Sequence, residues 1–320
     1  MLKRAFTAYG LIFHSEWEIP ELLESSGDPD VIIRIGEVPG QLDSFFGKPD
    51  LYQVNENEFL LKLEGIANFW VKDGKEIVIQ PAPNHLDSEV RLYLLGTCLG
   101  VLLHQRGILA LHASAIETAA GAVLFSGPSG VGKSTLMAAF LKRDYCMLAD
   151  DVTGIVLDRN GCPIVLPAIP RTKLWADAVK HLGHDLNTLP RLRPSEEKYE
   201  LGVRELFAHQ PAPLHRIYLP TSSNKVQAEI IRLDNIGSFQ AVLDNTYREM
   251  FLNGLDRRKS HFFLSTATAN QAVISRVLRP DDLSKLDDLV KLIEYDFTGP
   301  AGDESLTSIE KPASELVGKI

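Results

Sequence analysis

Residues able to grip phosphate and to handle a metal ion lie close together in the middle of the chain. Residues 127–135, here called the glycine loop, contain the pattern G-x-x-x-x-G-K-S, and the pair Asp150 and Asp151 comes soon after. In this pattern glycines let backbone N–H groups surround phosphate oxygens, Lys133 reaches the β- and γ-phosphates, and the Ser134 hydroxyl meets Mg²⁺. The remaining residues of the loop are Gly127, Pro128, Ser129, Gly130, Val131, Gly132 and Thr135. The spacing predicts a site for a nucleoside triphosphate with Mg²⁺.

The flanking segments occur in the order that such a loop needs. Residues 122–125 are apolar and predict a strand, and residues 136–143 are rich in helix formers and predict a helix. Residues 145–149 predict a second strand that returns beside the first and ends at the acidic pair. Because parallel strands joined by a crossover helix end at one edge of a sheet, we expect both aspartates to lie next to the phosphates.

Two adjacent aspartates can have different duties. Successive side chains at a strand end point to different sides, so one carboxylate can hold Mg²⁺ while the other accepts the proton of a serine or threonine hydroxyl. The sequence leaves open which of Asp150 and Asp151 does which. A second interpretation is that Asp151 only caps a turn before residues 152–154.

A histidine precedes the glycine loop on a neighbouring strand. Residues 107–114 predict this strand, and a turn at residues 118–121 leads from it into the loop strand. His112 on an apolar strand is either a packed core residue or a group of the site.

The order of His112, the glycine loop, a helix and the acidic pair resembles the catalytic domain of the HPr kinase/phosphorylase family of bacterial protein serine kinases. The matching stretches are residues 111–114, 127–135 and 148–152. The resemblance implies that His112, Lys133, Asp150 and Asp151 are catalytic, that Ser134 and both aspartates bind metal, and that ATP and Mg²⁺ are used. It implies an α/β fold, with a P-loop kinase core built on a mixed sheet. The family's Arg-Gly-Leu-Gly segment has no counterpart here, so the resemblance does not extend to HPr as acceptor.

The chain is more similar to the HPr-kinase-like proteins of bacterial peptide biosynthesis clusters, notably those that phosphorylate lasso-peptide precursors. The supporting stretches are residues 90–96, 102–107, 170–175, 191–193 and 197–199. This resemblance implies a peptide or small-protein partner whose serine hydroxyl, near the precursor's C-terminus, accepts the phosphoryl group. Family members form rings of subunits, which implies a possible homo-oligomer.

Basic residues downstream of the acidic pair are candidates for contacts with phosphate or with the acceptor. Cationic side chains stabilise the charge that spreads over a phosphoryl group in transfer. For any single one of them, an ordinary solvated surface charge is the better interpretation, whereas as a group near the predicted site they are candidates. The candidates are Arg171, Lys173, Arg191, Arg193 and Lys198.

Composition limits the possible partners and compartment. The chain of 320 residues is 45% hydrophobic and has a formal net charge of −9, without a long basic run. Nucleic acid and anionic membrane are therefore not expected as general partners. Its 3 cysteines have no metal-binding spacing and predict reduced thiols. The start has no secretory signal pattern, and the expected location is the cytoplasm.

Three regions are predicted along the chain. Residues 1–85 predict a smaller β-rich N-terminal domain, with strands at 31–35, 58–63, 67–71 and 76–79 and a hairpin turn at Asp73 and Gly74. This domain either holds a partner or serves as a structural lid. Residues 86–298 predict the kinase core, and residues 299–320 predict a disordered tail. Within the core we predict helices at 86–105, 174–182, 236–255 and 281–295, and a strand at 214–219 that ends at Pro220.

Three functions fit the sequence. The first is a Mg-ATP-dependent kinase that phosphorylates a serine or threonine of a peptide, with a lasso-type precursor as the favoured case. The second is a kinase for a small molecule. The third is a nucleotide-gated binding protein that transfers no phosphate.

Overall fold

A computed structural model describes residues 4–192 and 196–299, together with the backbone of Thr307–Ile309. Over these residues the chain is a mixed α/β protein with several mixed sheets, as predicted. None of the described helices combines the length and the apolar character that a membrane-spanning helix needs.

The N-terminal strands form one mixed sheet. They are β1 (Arg4–Ala8), β2 (Leu11–Ser15), β3 (Leu23–Glu24), β4 (Val31–Ile35), β5 (Phe46–Lys48), β6 (Tyr52–Val54), β7 (Glu58–Leu63), β8 (Ala67–Lys72) and β9 (Glu76–Pro81). Their order in the sheet is β3-β1-β2-β4-β9-β8-β7-β6-β5. Asp73 and Gly74 have φ values of 55° and 62°, which confirms the predicted hairpin turn between β8 and β9.

A helical segment follows the N-terminal sheet and confirms the helix predicted at residues 86–105. It consists of α1 (Asp87–Tyr93), one π-helical stretch (Leu94–Cys98) and α2 (Leu99–Gln105). Leu99 and Leu102 are buried in the same cluster as Phe13 and Phe69 of the N-terminal sheet and Leu124 of the glycine-loop strand. The hydrophobic core therefore runs across the predicted boundary at residue 85.

The second large sheet contains the strands around the glycine loop. The later strands are β10 (Leu109–Leu111), β11 (Ala113–Thr118), β12 (Gly121–Ser126), β13 (Cys146–Ala149), β14 (Thr153–Leu157), β15 (Pro163–Leu166), β16 (Arg171–Trp175), β17 (Lys198–Gly202), β18 (Ala212–Ser223), β19 (Glu229–Arg232), β20 (Val273–Pro280) and β21 (Thr307–Ile309). The sheet order is β10-β14-β15-β18-β12-β11-β13, with β20 beside β18, β19 beside β20 and β21 beside β19. Strands β16 and β17 form a separate antiparallel pair.

The helices after α2 pack on these strands or on one another. They are α3 (Lys133–Leu141), α4 (Ala176–His181), α5 (Asn235–Asp244), α6 (Arg258–Gln271) and α7 (Leu286–Thr298). Helix α4 packs on the pair of β16 and β17, and α5 packs on α6. Phe125 of β12 stacks on Phe140 of α3 with ring centroids 5.4 Å apart, and Phe140 contacts Phe297 of α7. Phe125, Phe140 and Phe297 belong to a second hydrophobic cluster. Leu124, the residue before Phe125, is buried in the first cluster, because successive side chains of a strand point to opposite faces.

Three sequence predictions about the core are wrong in part. Strand β13 does not lie beside β12, because β11 pairs antiparallel with both and stands between them. The helix predicted at 174–182 begins only at Ala176, since β16 takes up residues to Trp175. The helix predicted at 236–255 ends at Asp244, where the chain turns back to pair with Leu111.

Pro220 does not end its strand, contrary to the prediction. Strand β18 continues to Ser223 in parallel pairing with β20. The pairing of β18 with β12 stops at Tyr218, so Pro220 lies beyond the end of that neighbour. Proline lacks an N–H and is tolerated where one side of a strand has no ladder.

Candidate functional site

The glycine loop joins β12 to α3 with an unusual backbone. Gly130 and Gly132 have φ values of 89° and 96°, a region in which a side chain is strained. These conformations allow successive backbone N–H groups to turn towards one point, which is the geometry that anions occupy in such loops. The loop is therefore built as a concave anion site at the beginning of a helix.

Lys133 is the first residue of α3 and is held by its own loop. Its Nζ donates to the carbonyl oxygens of Gly127 and Pro128, at 2.8 Å and 2.9 Å. Burial lowers the pKa of Lys133 to about 8, against the opposing effect of Asp150 and Asp151. An incoming phosphate would replace the two carbonyls as the partner of this ammonium group.

Asp150 follows β13 and accepts hydrogen bonds from several elements. Its Oδ1 accepts from the hydroxyls of Ser114 at 2.6 Å and Ser134 at 2.9 Å. Its Oδ2 accepts from the Thr172 hydroxyl at 2.7 Å and from the backbone N–H of Lys173 at 3.1 Å. These contacts fix the carboxylate beside the beginning of α3.

The pair of Asp150 and Ser134 fits a magnesium ion. Both offer hard oxygen atoms, and these atoms lie 2.9 Å apart next to the glycine loop. Among the described residues, no group of three or more His, Cys, Asp or Glu side chains is arranged to hold a metal ion. Mg²⁺ needs no such group, because one or two protein oxygens with substrate phosphates and water commonly complete its shell.

Asp151 is the centre of a tight turn, and its side chain has other partners than that of Asp150. Its φ is 72°, and the backbone N–H of Val152 donates to the carbonyl of Asp150 at 2.9 Å, which closes a γ-turn. The side chain of Asp151 lies 2.8 Å from Lys173 Nζ and 3.6 Å from His112 Nε2. Burial acts to raise the pKa of Asp151, but the charge and hydrogen bond of Lys173, with smaller effects of His112 and Lys198, hold it well below the usual range.

His112 lies in the short break between β10 and β11 rather than inside one strand. Its backbone N–H donates to the carbonyl of Asn245 at 2.8 Å, and its ring meets the Tyr247 ring nearly edge to face at 6.0 Å. Burial, followed by the charge of Lys133, lowers the pKa of His112, although both aspartates act in the other direction. The lowered pKa favours the neutral imidazole, whose Nε2 lies 3.6 Å from the Asp151 carboxylate.

Two cavities meet at these residues. The first, of about 500 Å³, extends along the glycine loop and has Trp175, Leu283 and Leu286 on its walls. The second, of about 550 Å³, lies towards the helical segment that follows the N-terminal sheet and towards the chain after α5. Both cavities are lined by His112, Ser129, Asp151, Lys173 and Lys198. The Asp151 carboxylate can therefore contact a ligand in the first cavity and another in the second.

The structure brings only some of the predicted basic residues to the cavities. Lys173 and Lys198 line both. Arg171 is buried and pairs with Glu200 at 2.6 Å, and the Nε of Arg191 donates to the Tyr199 hydroxyl. Neither arginine lines either of these two cavities. Arg193 lies outside the described residues.

Sequence reasoning missed Arg279, which lies against the glycine loop. It stands near the end of β20, and its guanidinium donates to the carbonyl of Val131 at 3.1 Å and lines the first cavity. Strand β20 was not identified either. The available signal was the set of β-branched residues Val273, Ile274 and Val277 in a stretch that stops at Pro280.

Comparisons with known proteins add little to this geometry. No protein-family model matches the chain, and no curated protein matches it. A solved structure of the Hpr(Ser) kinase/phosphatase from Coxiella burnetii is similar over 59% of this chain and 93% of that chain, with 14% sequence identity and a TM-score of 0.30. A likeness at this TM-score supports no argument about activity, so the function must be argued from the site.

Proposed function

We propose that this protein is a Mg-ATP-dependent kinase that transfers the γ-phosphoryl group to a serine or threonine hydroxyl of a peptide or small protein. The observation behind the proposal is the position of Asp151, which lines both cavities at the point where the glycine loop borders them. A carboxylate between a phosphate site and a second cavity is the arrangement that in-line transfer to a hydroxyl requires.

The chain's own residues divide the work. The glycine loop and Lys133 hold the triphosphate, and Arg279 faces the same phosphates from β20. Asp150 and Ser134 would hold Mg²⁺, which when bound neutralises phosphate charge and orients the γ-phosphate. The apolar walls at Trp175 and Leu286 suit a nucleobase.

The transfer step needs a proton acceptor, and we assign this role to Asp151. A bond forms between the acceptor oxygen and the γ-phosphorus, the bond from phosphorus to the β,γ-bridging oxygen breaks, ADP leaves with that electron pair, and the hydroxyl proton passes to Asp151. The low pKa of Asp151 makes it a weak base while Lys173 is bonded to it. If Lys173 turns to the transferring phosphate, Asp151 becomes more basic when the proton must leave.

A lasso-type precursor peptide is the favoured acceptor, and the support for it is the sequence resemblance at residues 90–96, 170–175 and 191–193. A small-molecule acceptor is the second candidate. The volume of the second cavity, about 550 Å³, supports it because small-molecule pockets commonly fall in this range.

The test is intact-mass measurement of candidate peptides and metabolites after incubation with the protein and Mg-ATP. Gain of one phosphoryl group by a peptide supports the proposal, and gain only by metabolites supports the small-molecule kinase. ATP binding without transfer to anything supports the nucleotide-gated binding protein instead.

The control is Lys133→Ala, compared with wild type by circular dichroism to show that the fold is intact. We expect transfer to be abolished, because the ammonium that meets the β- and γ-phosphates is removed. A fully active Lys133→Ala variant would refute the assignment of the glycine loop.

A further inference from the structure

The second cavity is surrounded by backbone that is costly to maintain. Asp151 and Arg248 both line it, and both are non-glycine residues with positive φ, 72° and 53°. Gly96 and Thr97 of the π-helical stretch Leu94–Cys98 line it as well. Left-handed residues and π-helical turns are unfavourable locally and concentrate at ligand sites. Their convergence on one cavity indicates a built binding site rather than a packing gap.

Arg248 supplies this cavity with an unneutralised positive charge. Its guanidinium lies over the Tyr247 ring, 5.8 Å from the centroid, and is exposed at the cavity wall. Among residues 4–192 and 196–299, no carboxylate forms an ion pair with Arg248. Asp244 and Glu196 also line the cavity, and the Asp244 carboxylate accepts from the Gln240 amide at 2.6 Å. Arg248 is therefore available to an anionic ligand.

Tyr247 fixes Arg248 relative to the reacting groups. The Tyr247 ring is held against Gly100, where an added Cβ would lie 2.6 Å from the ring, and its edge contacts His112. His112 in turn contacts Asp151. A ligand bound by Arg248 would thus be oriented along Tyr247 and His112 towards the proposed proton acceptor.

We propose that the second cavity binds the acceptor and that Arg248 recognises a carboxylate on it, close to the hydroxyl that is phosphorylated. This inference rests on the proposed kinase function. A planar guanidinium binds a carboxylate through two parallel hydrogen bonds, which sets orientation as well as affinity. The carboxylate belongs to a peptide C-terminus, to an acidic side chain beside the serine, or to a small hydroxy acid.

The experiment measures phosphoryl transfer from Mg-ATP to three probes: a degenerate peptide library with a central serine and free C-termini, the same library with C-terminal amides, and free L-serine. We expect phosphorylated products to be enriched in carboxylates near the serine. Phosphorylation confined to the free-terminus library identifies a C-terminal carboxylate. Enrichment in both libraries identifies acidic side chains, and transfer to L-serine alone identifies a small hydroxy acid.

Two matched variants complete the test. Arg248→Gln should raise KM for the preferred acceptor by about tenfold or more and erase the preference for carboxylates, because one charged hydrogen-bonding partner is removed. Arg159→Gln replaces an exposed arginine that lines neither cavity and should leave the preference unchanged. Equal transfer to both libraries without enrichment in acidic side chains, or a preference for carboxylates that persists in Arg248→Gln, overturns the inference while leaving the kinase function in place.

A second measurement decides the case in which no probe is phosphorylated. Phenylglyoxal labelling of Arg248 is followed by mass spectrometry in protein saturated with Mg-ADP. Protection of Arg248 by L-serine, by the free-terminus library or by both libraries supports the carboxylate site, and protection confined to the free-terminus library identifies a C-terminal carboxylate. Equal labelling under all conditions overturns it.

Discussion

At the scale of single residues, the site depends on how its neighbours set the charge of each group. Asp151 stays ionised although burial opposes its charge, because the charge and the hydrogen bond of Lys173 outweigh that effect. Its folded-state pKa lies below the unfolded value, so its ionisation stabilises the fold above about pH 4 and this contribution is lost as the pH falls further. Burial also lowers the pKa of Lys133, but for a lysine a lower pKa disfavours the charged form.

Removing the partner of Asp151 should move the pH dependence of transfer. In Lys173→Met the largest of the effects that lower the pKa of Asp151 is removed and burial remains, so the pKa of Asp151 rises. We expect the acid limb of the pH–rate profile, measured with water or a peptide as acceptor, to shift to higher pH. Lys180→Met, at an exposed position of α4 outside both cavities, is the control. An acid limb that stays in place in Lys173→Met contradicts the assignment of Asp151.

Nucleotide binding should be coupled to proton uptake by Lys133. The pKa of Lys133 is about 8 in the folded chain, and phosphate charge would raise it. We expect uptake of protons when Mg-ADP binds at about pH 8 or just above, measured by calorimetry in buffers of different ionisation enthalpy. Lys133→Arg carries a permanent charge and should bind without that uptake. Equal uptake by both proteins would argue against Lys133 as its source.

The same pKa predicts how stability varies with alkaline pH. The folded-state value lies below the unfolded one, so the unfolded chain binds more protons between about pH 8 and 10.5. The contribution of Lys133 to stability therefore rises with pH across that window.

At the scale of elements, the helical segment positions Tyr247 through two glycines. An added Cβ at Gly100 would lie 2.6 Å from the Tyr247 ring, whereas one at Gly96 would lie 3.4 Å from the Tyr247 hydroxyl. The ring cannot occupy the same place beside an alanine at position 100. His112, which the ring contacts, would lose its support.

Gly100→Ala and Gly96→Ala separate this contact from helix propensity. Both replacements gain helix propensity, about 1 kcal/mol or less. Only Gly100→Ala adds a steric conflict in a packed region, which typically costs about 1–3 kcal/mol. We expect Gly100→Ala to lower both the melting temperature and the transfer rate, whereas the melting temperature of Gly96→Ala should stay close to that of the wild type. Equal melting temperatures of the two variants would show that Tyr247 has no such role.

At the scale of the whole molecule, the N-terminal sheet and the core share one hydrophobic cluster and a contact at the site. The Tyr9 hydroxyl donates to the carbonyl of Val152 at 3.1 Å, directly after the γ-turn at Asp151. Glu21 pairs with Arg91 at 2.7 Å and lies 3.7 Å from Arg171. The N-terminal strands therefore support the backbone that holds the proposed proton acceptor.

The shared cluster predicts one cooperative unfolding transition. In Trp175→Phe the remaining tryptophans, Trp17 and Trp70, both report on the N-terminal region, while circular dichroism reports on the whole chain. We expect the two signals to change at the same denaturant concentration, because unfolding either part exposes the common core. An earlier fluorescence transition would show that the N-terminal sheet unfolds independently.

Local sequence determined the features that depend on neighbours along the chain. The hairpin at Asp73 and Gly74 was predictable because its turn needs two residues that tolerate positive φ. The strand, glycine loop and helix around Lys133 were predictable because apolar strand residues, glycines and helix formers follow one another without interruption. The strand that leads to Asp150 was predictable for the same reason.

Only the tertiary structure decided which distant residues meet. The local sequence pattern does not show that β11 lies between β12 and β13. It also does not show that β12 ends before it reaches Pro220, which leaves one side of β18 unpaired at that residue. It could not show that Lys173 reaches Asp151 while Arg171 turns to Glu200, or that Arg279 returns to the glycine loop. Such contacts join segments far apart in sequence and follow from strand order and burial, which no short stretch of residues specifies.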